Sequence, residues 1–240
     1  MNEMFHVKQE ELSMDFGPYF KYYEQVVKYV ESAFDKVQAE YRDCVRCEIG
    51  CADCCHALFD LSLIEALYIK SKFDETFSAE DREKLLERAN KADRMIYKIK
   101  RNAYKEHQNG KTEEDILLDI AKERVQCPML NEKEQCDLYD FRPITCRLYG
   151  IPTVIGGKGH TCGISGFERG KSYPTVRLEE INKRLYEISF ALAHDIKSRY
   201  PNLADVLMPL PMALLTDFTN EYLGVRSEEE RSEGEHDGNE

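Results

Sequence analysis

Residues 44–55 run Cys44-Val-Arg-Cys47-Glu-Ile-Gly-Cys51-Ala-Asp-Cys54-Cys55, a C-x2-C-x3-C-x2-C-C block that holds five of the chain's nine cysteines. Thiolate sulfur is a soft ligand that selects zinc, copper(I) or iron–sulfur clusters, and two-residue gaps let neighbouring thiolates converge without straining the backbone. The adjacent pair Cys54 and Cys55 is harder to seat on one tetrahedral ion, because consecutive side chains diverge. It favours two metal sites or a cluster of several irons. A disulfide framework is the alternative use of so many cysteines, but a chain of 240 residues needs no such staples to supply its core.

Four more cysteines lie far downstream, in CPMLNEKEQCDLYDFRPITCRLYG and GKGHTC. Pro128 bars helix continuation, so Cys127 is expected in extended or looped backbone whose thiol can turn toward the first block. The glycine-rich stretch from Ile155 to Cys162 lacks the P-loop and dinucleotide patterns, and its glycines are read as letting Cys162 fold back onto the metal. Cys127, Cys136 and Cys146 are therefore expected to share a centre with the Cys47–Cys55 block. Cys47 and Cys51 would share a face if their segment were helical. His56 reads as a helix-start or surface residue, and His160 as a reserve ligand.

Together, CVRCEIGCADCC, CPMLNEKEQC and DLYDFRPITCRLYG resemble the YkgJ-type cysteine-cluster family, a zinc- or iron-chelating domain that also includes flagellin lysine N-methylase. The resemblance spans about residues 44 to 165, and its most specific part is Arg142-Pro143-x-x-Cys146-Arg147 preceded by Cys136. It implies a metal or iron–sulfur site and does not by itself imply an enzyme. Cys44 has no counterpart in it, which leaves Cys47, Cys51, Cys54, Cys55, Cys127, Cys136, Cys146 and Cys162 as the candidate ligands. Arg142 and Arg147 are read as cofactor-binding partners. Four thiolates on zinc or on an oxidised four-iron cluster leave a net charge of about −2, which a guanidinium offsets while donating hydrogen bonds to sulfur. The other reading of these arginines is ion pairing with Asp137 or Asp140 on the same loop.

Hydrophobic residues make up 42% of the chain, enough for a sizeable core. The net charge of −12 argues against a nucleic-acid partner, which would call for a basic face. Half of that charge sits in residues 227–240, expected to be a disordered acidic tail. No run is apolar enough to span a bilayer and the N-terminal stretch lacks the order of a signal peptide, so no membrane contact and a reducing cytoplasm are expected.

Phe20, Tyr23, Val27, Val30, Phe34, Val37 and Tyr41 recur at helical spacing and predict a helix from about Phe16 to Arg42, its stripe used for core packing. Ser62-Leu-Ile-Glu65 has the form of a capping box and predicts a helix over 62–74. Further helices are expected over 78–107, 112–124 and 173–199. The basic stretch from Lys91 to Lys105 reads as a solvated helix face rather than an RNA-binding one. Residues 138–143 read as a short strand or tight turn, and Pro209 and Pro211 keep residues 204–215 from forming one helix. The expected fold is mainly α, a single helical domain over 1–226 around an irregular cysteine-rich metal-binding centre.

The leading functional expectation is an iron–sulfur protein acting in electron transfer or in modification of another protein. Its partner, protein or small molecule, and any catalytic residues are not marked in the sequence. A structural zinc-binding module is the second reading, since eight thiolates fill two four-coordinate sites. Flagellin-methylase-like methyl transfer is the third, allowed by the resemblance, although no glycine-rich strand-to-helix turn for a methyl donor is evident.

Overall fold

The computed structural model describes residues 15–48 and 50–225; the polar leader and the acidic tail lie outside these residues. Helix α1 (Gly17–Glu40) begins with Pro18 in its first turn, where the missing amide is not needed, and buries Tyr23, Val26, Val30 and Val37. A loop with the first five cysteines follows, then strand β1 (Asp60–Ser62) and helix α2 (Leu63–Thr76). Leu63, Ile64, Ala66, Leu67, Ile69 and Phe73 of α2 are all buried. A helix apolar on nearly every side belongs in the middle of a fold. Its start is the predicted capping box, with the Ser62 N–H and hydroxyl donating to the Glu65 carboxylate at 3.1 and 3.0 Å.

Helix α3 (Ala79–Gln108) is capped by the Ser78 hydroxyl, which accepts from the Asp81 N–H at 3.2 Å, and turns Leu85, Ala89, Ala92 and Ile96 inward. Helix α4 (Glu113–Ile120) stops short of Arg124 because the following backbone is needed elsewhere. The Val125 and Cys127 N–H groups donate to the carbonyls of His56 and Cys55, at 3.1 and 2.7 Å. Residues Tyr139–Phe141 form a 3-10 turn, the turn alternative of the expectation, and a short helix α5 (Ile144–Leu148) follows that the periodicity did not signal.

Strands β2 (Thr153–Ile155) and β3 (Lys158–His160) form a hairpin closed by Gly156 and Gly157, both at positive φ, as two-residue hairpin turns require. Strand β4 (Val176–Arg177) pairs in parallel with β2, which delays the start of helix α6 (Leu178–Asp195) past the predicted Tyr173. Strand β5 (Leu207–Pro209), helix α7 (Leu210–Leu215) and helix α8 (Asn220–Leu223) complete the described chain. β5 pairs antiparallel with β1, placing buried Leu61 opposite buried Met208. Pro209 and Pro211 do not merely interrupt this stretch: they start α7, since proline is at home in a helix's first turn. α7 packs on α2 and α3 while α6 packs on α1 and α2, so α2 is the centre. The architecture is mainly α, and among the described residues no helix is long and apolar enough to cross a membrane.

One polar contact ties this centre to α6. The Ile64 N–H, an otherwise unpaired first-turn amide, donates to the buried Ser189 hydroxyl at 3.2 Å, and that hydroxyl donates to the Leu185 carbonyl at 2.9 Å. Ser189→Ala should therefore cost roughly 1–3 kcal/mol, the penalty for stranding a buried donor. Phe190→Ala, on the exposed side of the same helix, should cost about 0.5 kcal/mol or less. Urea denaturation of the two variants checks the contrast.

Candidate metal centre

The first cysteine block is a loop. The Cys44 and Val45 N–H groups both donate to the Tyr41 carbonyl, at 2.9 and 3.1 Å, and turn the chain at the end of α1. The Cys51 N–H donates to the Glu48 carbonyl across Gly50, which lies at φ +94°, and residues Cys54–His56 form a 3-10 turn. Cys47 and Cys51 thus share no helical face. Cys54 is hydrogen-bonded to both Cys146 and Cys55, and Cys55 also feels the charges of Cys127 and Cys136.

The second block is pinned to the first by backbone. Besides the Cys127 N–H bond to the Cys55 carbonyl, Leu130 and Cys136 form an antiparallel bridge. The Asn131 side chain closes the tip of this loop. It accepts from the Lys133 and Gln135 N–H groups at 2.9 and 3.0 Å and donates to Asp137 at 2.8 Å. The segment between Cys127 and Cys136 therefore doubles back and brings its two ends together. Arg88 of α3 holds it from outside, donating to the Leu130 carbonyl and the Asp137 carboxylate at 3.0 and 3.2 Å.

Cys146 rides on α5, and α5 is positioned by Glu65. The Ile144 N–H donates to the Glu65 carboxylate at 3.1 Å, so this one buried side chain, 4% exposed, accepts from the N-termini of both α2 and α5. Burial raises the Glu65 pKa, opposed by the hydrogen bonds from Ser62 and Ile144.

Cys162 returns to the block after the β2–β3 hairpin, and its sulfur donates to the Asp53 carboxylate at 3.4 Å. Asp53 also accepts from the Tyr149 hydroxyl at 3.0 Å and pairs with Arg124. Burial alone would raise the Asp53 pKa; hydrogen bonds from Tyr149, Cys162 and Arg124 outweigh it and hold the carboxyl below its usual value. Gly150, at φ +105°, lies so close to Cys47 that an added Cβ would stand 2.9 Å from the cysteine's own Cβ.

All nine cysteines are half-buried and unbridged. Burial, with the Cys51 and Cys54 charges, pushes Cys47 up to about 11, and burial pushes Cys127 up to about 12. Cys136 and Cys162 are raised for the same leading reason. Cys54 goes the other way, because the Cys146 and Cys55 thiols donate to its sulfur and hold it as a thiolate, and both donors are raised in turn. Most thiols of the set thus keep their protons at neutral pH, so metal loading releases protons and strengthens as pH rises.

A cavity of about 720 Å³ brings the distant segments together. Its wall includes Cys47, Cys51, Cys54 and Cys55 from the first block and Cys127, Cys136 and Cys146 from the second. Cys162 is not on this wall; it lines a smaller depression with Cys47, Cys51 and Cys54. Cys44 borders neither. His160 is exposed on β3, and the His56 ring lies 3.0 Å from the Ala52 carbonyl.

Both arginines line the cavity, but they are bonded differently. Arg142 stacks its guanidinium 4.0 Å over the Tyr139 ring, offsets part of the rise at Cys47 and Cys136, helps hold Cys54 low, and has a buried Nε without a hydrogen-bond partner. Arg147, 5% exposed, donates to the Arg142 and Asp140 carbonyls at 2.8 and 2.6 Å and pairs with Glu31 of α1. Its observed partners are oxygens that tie the loop to α1. The carboxylate pairings expected for the arginines also change, since Asp137 pairs with Arg88 and Asp140 contributes its carbonyl. Glu65, Asp53, Tyr149 and Arg124 were not marked by the sequence. Only Glu65 carried a local signal, its capping box, and that said nothing of α5.

A helical fold whose distant loops present thiols to one cavity defines a cysteine-rich metal-binding protein. A family model described as "CxxCxxCC: Putative zinc- or iron-chelating domain" matches residues 43–163, just over half of the chain, and the chain belongs to this family. No curated protein matches the chain, and no solved structure does.

Glu65→Ala should strand the Ser62 and Ile144 amides in a buried setting and destabilise the protein by roughly 2–6 kcal/mol, about 1–3 for each donor. Loosening of α5 should also expose Cys146, measurable as faster alkylation of that thiol alongside the lowered urea midpoint.

Proposed function

We propose that this chain is an iron–sulfur protein whose cluster is held by thiolates from both cysteine segments and serves in electron transfer or in modification of another protein. The observation that supports this most is the number of sulfurs on one wall: seven thiols from both blocks line a single cavity, more than the four that one zinc ion takes. The donor set fits: it is sulfur-rich and half-buried, and Arg142 presents an unpartnered Nε–H that can donate to sulfur and offset charge. When bound, the cluster would supply one-electron redox chemistry, and the chain's residues would orient it and limit water.

The cavity of about 720 Å³ lies within the range of small-molecule sites, leaving room for a partner beside the thiols. Nine unbridged cysteines suit a reducing compartment, which makes the cytoplasm the proposed location. Zinc is the second reading, favoured by the all-sulfur donors and by the zinc-or-iron description of the family. Methyl transfer gains no support from the described residues, since the Gly156–Gly157 pair closes a hairpin and does not lead from a strand into a helix.

Protein purified without oxygen should be brown, with iron and acid-labile sulfide in comparable amounts and visible absorption that bleaches on reduction. A colourless protein that carries zinc and no sulfide under the same conditions would replace the iron–sulfur reading with the zinc one.

A further inference from the structure

Helix α3 carries a charged face that no other described element covers. Lys91, Arg94, Lys98, Arg101 and Lys105 recur at steps of three and four residues, so they form one stripe, roughly 21 Å long, on the side away from Leu85, Ala89, Ala92 and Ile96. All five are exposed, and among the described residues none of their side chains takes part in an ion pair or hydrogen bond. Arg88 and Lys100 of the same helix, by contrast, are paired with Asp137 and Asp60. Asp93 is the single acid between Lys91 and Lys105, so the stripe lacks the intrahelical partners that neutralise an ordinary solvated face.

We infer that this stripe is the docking face of the chain's own acidic segment, residues 227–240. That segment, SEEERSEGEHDGNE, sets seven carboxylates and one guanidinium against the five cations, so the two charges nearly balance. In a chain of net charge −12, an unpaired basic stripe is the natural counter-surface for it. Lys21, Lys28 and Lys36 of α1 make a poorer one, because Glu24, Glu31 and Asp35 lie among them. The described chain ends at Val225, whose N–H donates to the Asn220 carbonyl at 2.8 Å, beside the 2.9 Å bond from the Arg199 N–H to the Gly224 carbonyl. The fifteen residues that follow can extend over about 50 Å, comparable to the width of a domain of this size. Reach therefore does not choose among faces, and charge does.

Exposed ion pairs are individually weak, but a tethered segment meets the stripe at an effective concentration in the millimolar range, and several pairs then act together. Tyr97 and Tyr104 flank the cations, 63% and 65% exposed, and their hydroxyls can donate to carboxylates. The contact is electrostatic, so salt screens it. While docked, the segment covers the stripe and keeps other polyanions from it.

The test treats the full chain with a zero-length carbodiimide, which joins a carboxylate to an amine in contact with it, and identifies the linked peptides of the monomer by mass spectrometry. Carboxylates of residues 227–240 should link to Lys91, Lys98 and Lys105 several-fold more often than to the exposed Lys21, Lys28, Lys36 and Lys183. That preference should vanish at about 0.5 M salt, where the Debye length falls to about 4 Å. Arg94→Glu combined with Arg101→Glu leaves the three lysines in place and should lower their links to the level of the α1 lysines. A chain ending at residue 226 should bind a labelled peptide of residues 227–240 in fluorescence anisotropy several-fold more tightly than the full chain does, because its stripe is open. Links spread evenly over surface lysines, links confined to dimers, or equal peptide binding by the two chains would overturn the inference. The distribution of links in the wild type decides it even if the double variant misfolds.

Discussion

The 2.7 Å hydrogen bond from the Cys127 N–H to the Cys55 carbonyl is the contact on which the thiol centre depends. Thiolates repel one another and are costly to gather, so residues this far apart in sequence need a neutral device to hold them. Backbone pairing supplies it. The Val125 and Cys127 amides lie along the 3-10 turn of the first block, and the folded-back loop from Met129 to Asp137 carries Cys136 to the same wall. The pairing also explains why α4 ends early, since residues committed to the carbonyls of the first cysteine block cannot continue a helix.

Around that contact, buried polar groups fix the remaining donors. Glu65 is the pivot: one carboxylate serves two helix N-termini, so the central helix and the short helix bearing Cys146 move as one piece. Asp53 does comparable work on the other side, joining Tyr149, Arg124 and Cys162. Arg142 and Arg147 both line the cavity, and Arg147 in addition locks the loop to α1 through Glu31.

The sequence was most legible where a pattern is local. The α1 periodicity, the Ser62–Glu65 capping box and the helix start at residue 78 each rest on residues a few positions apart, and each has a structural counterpart. What it hid was long-range. Nothing near Asp60 or Leu207 announces that β1 and β5 pair, because three-residue strands carry too little alternation to be read. Asp53 looks like a turn residue until Tyr149 and Cys162 are brought to it. The prolines at 209 and 211 were legible as constraints, but whether they end an element or begin one is decided by the strand that precedes them.

The central claim is that thiolates from both segments, and no other donors, hold the metal. X-ray absorption at the metal edge of anaerobically purified, as-isolated protein tests it most directly. The account predicts a first shell of sulfur alone, about four per metal at roughly 2.3 Å, with a short metal–metal distance if the metal is clustered iron. A first shell dominated by nitrogen or oxygen would contradict it.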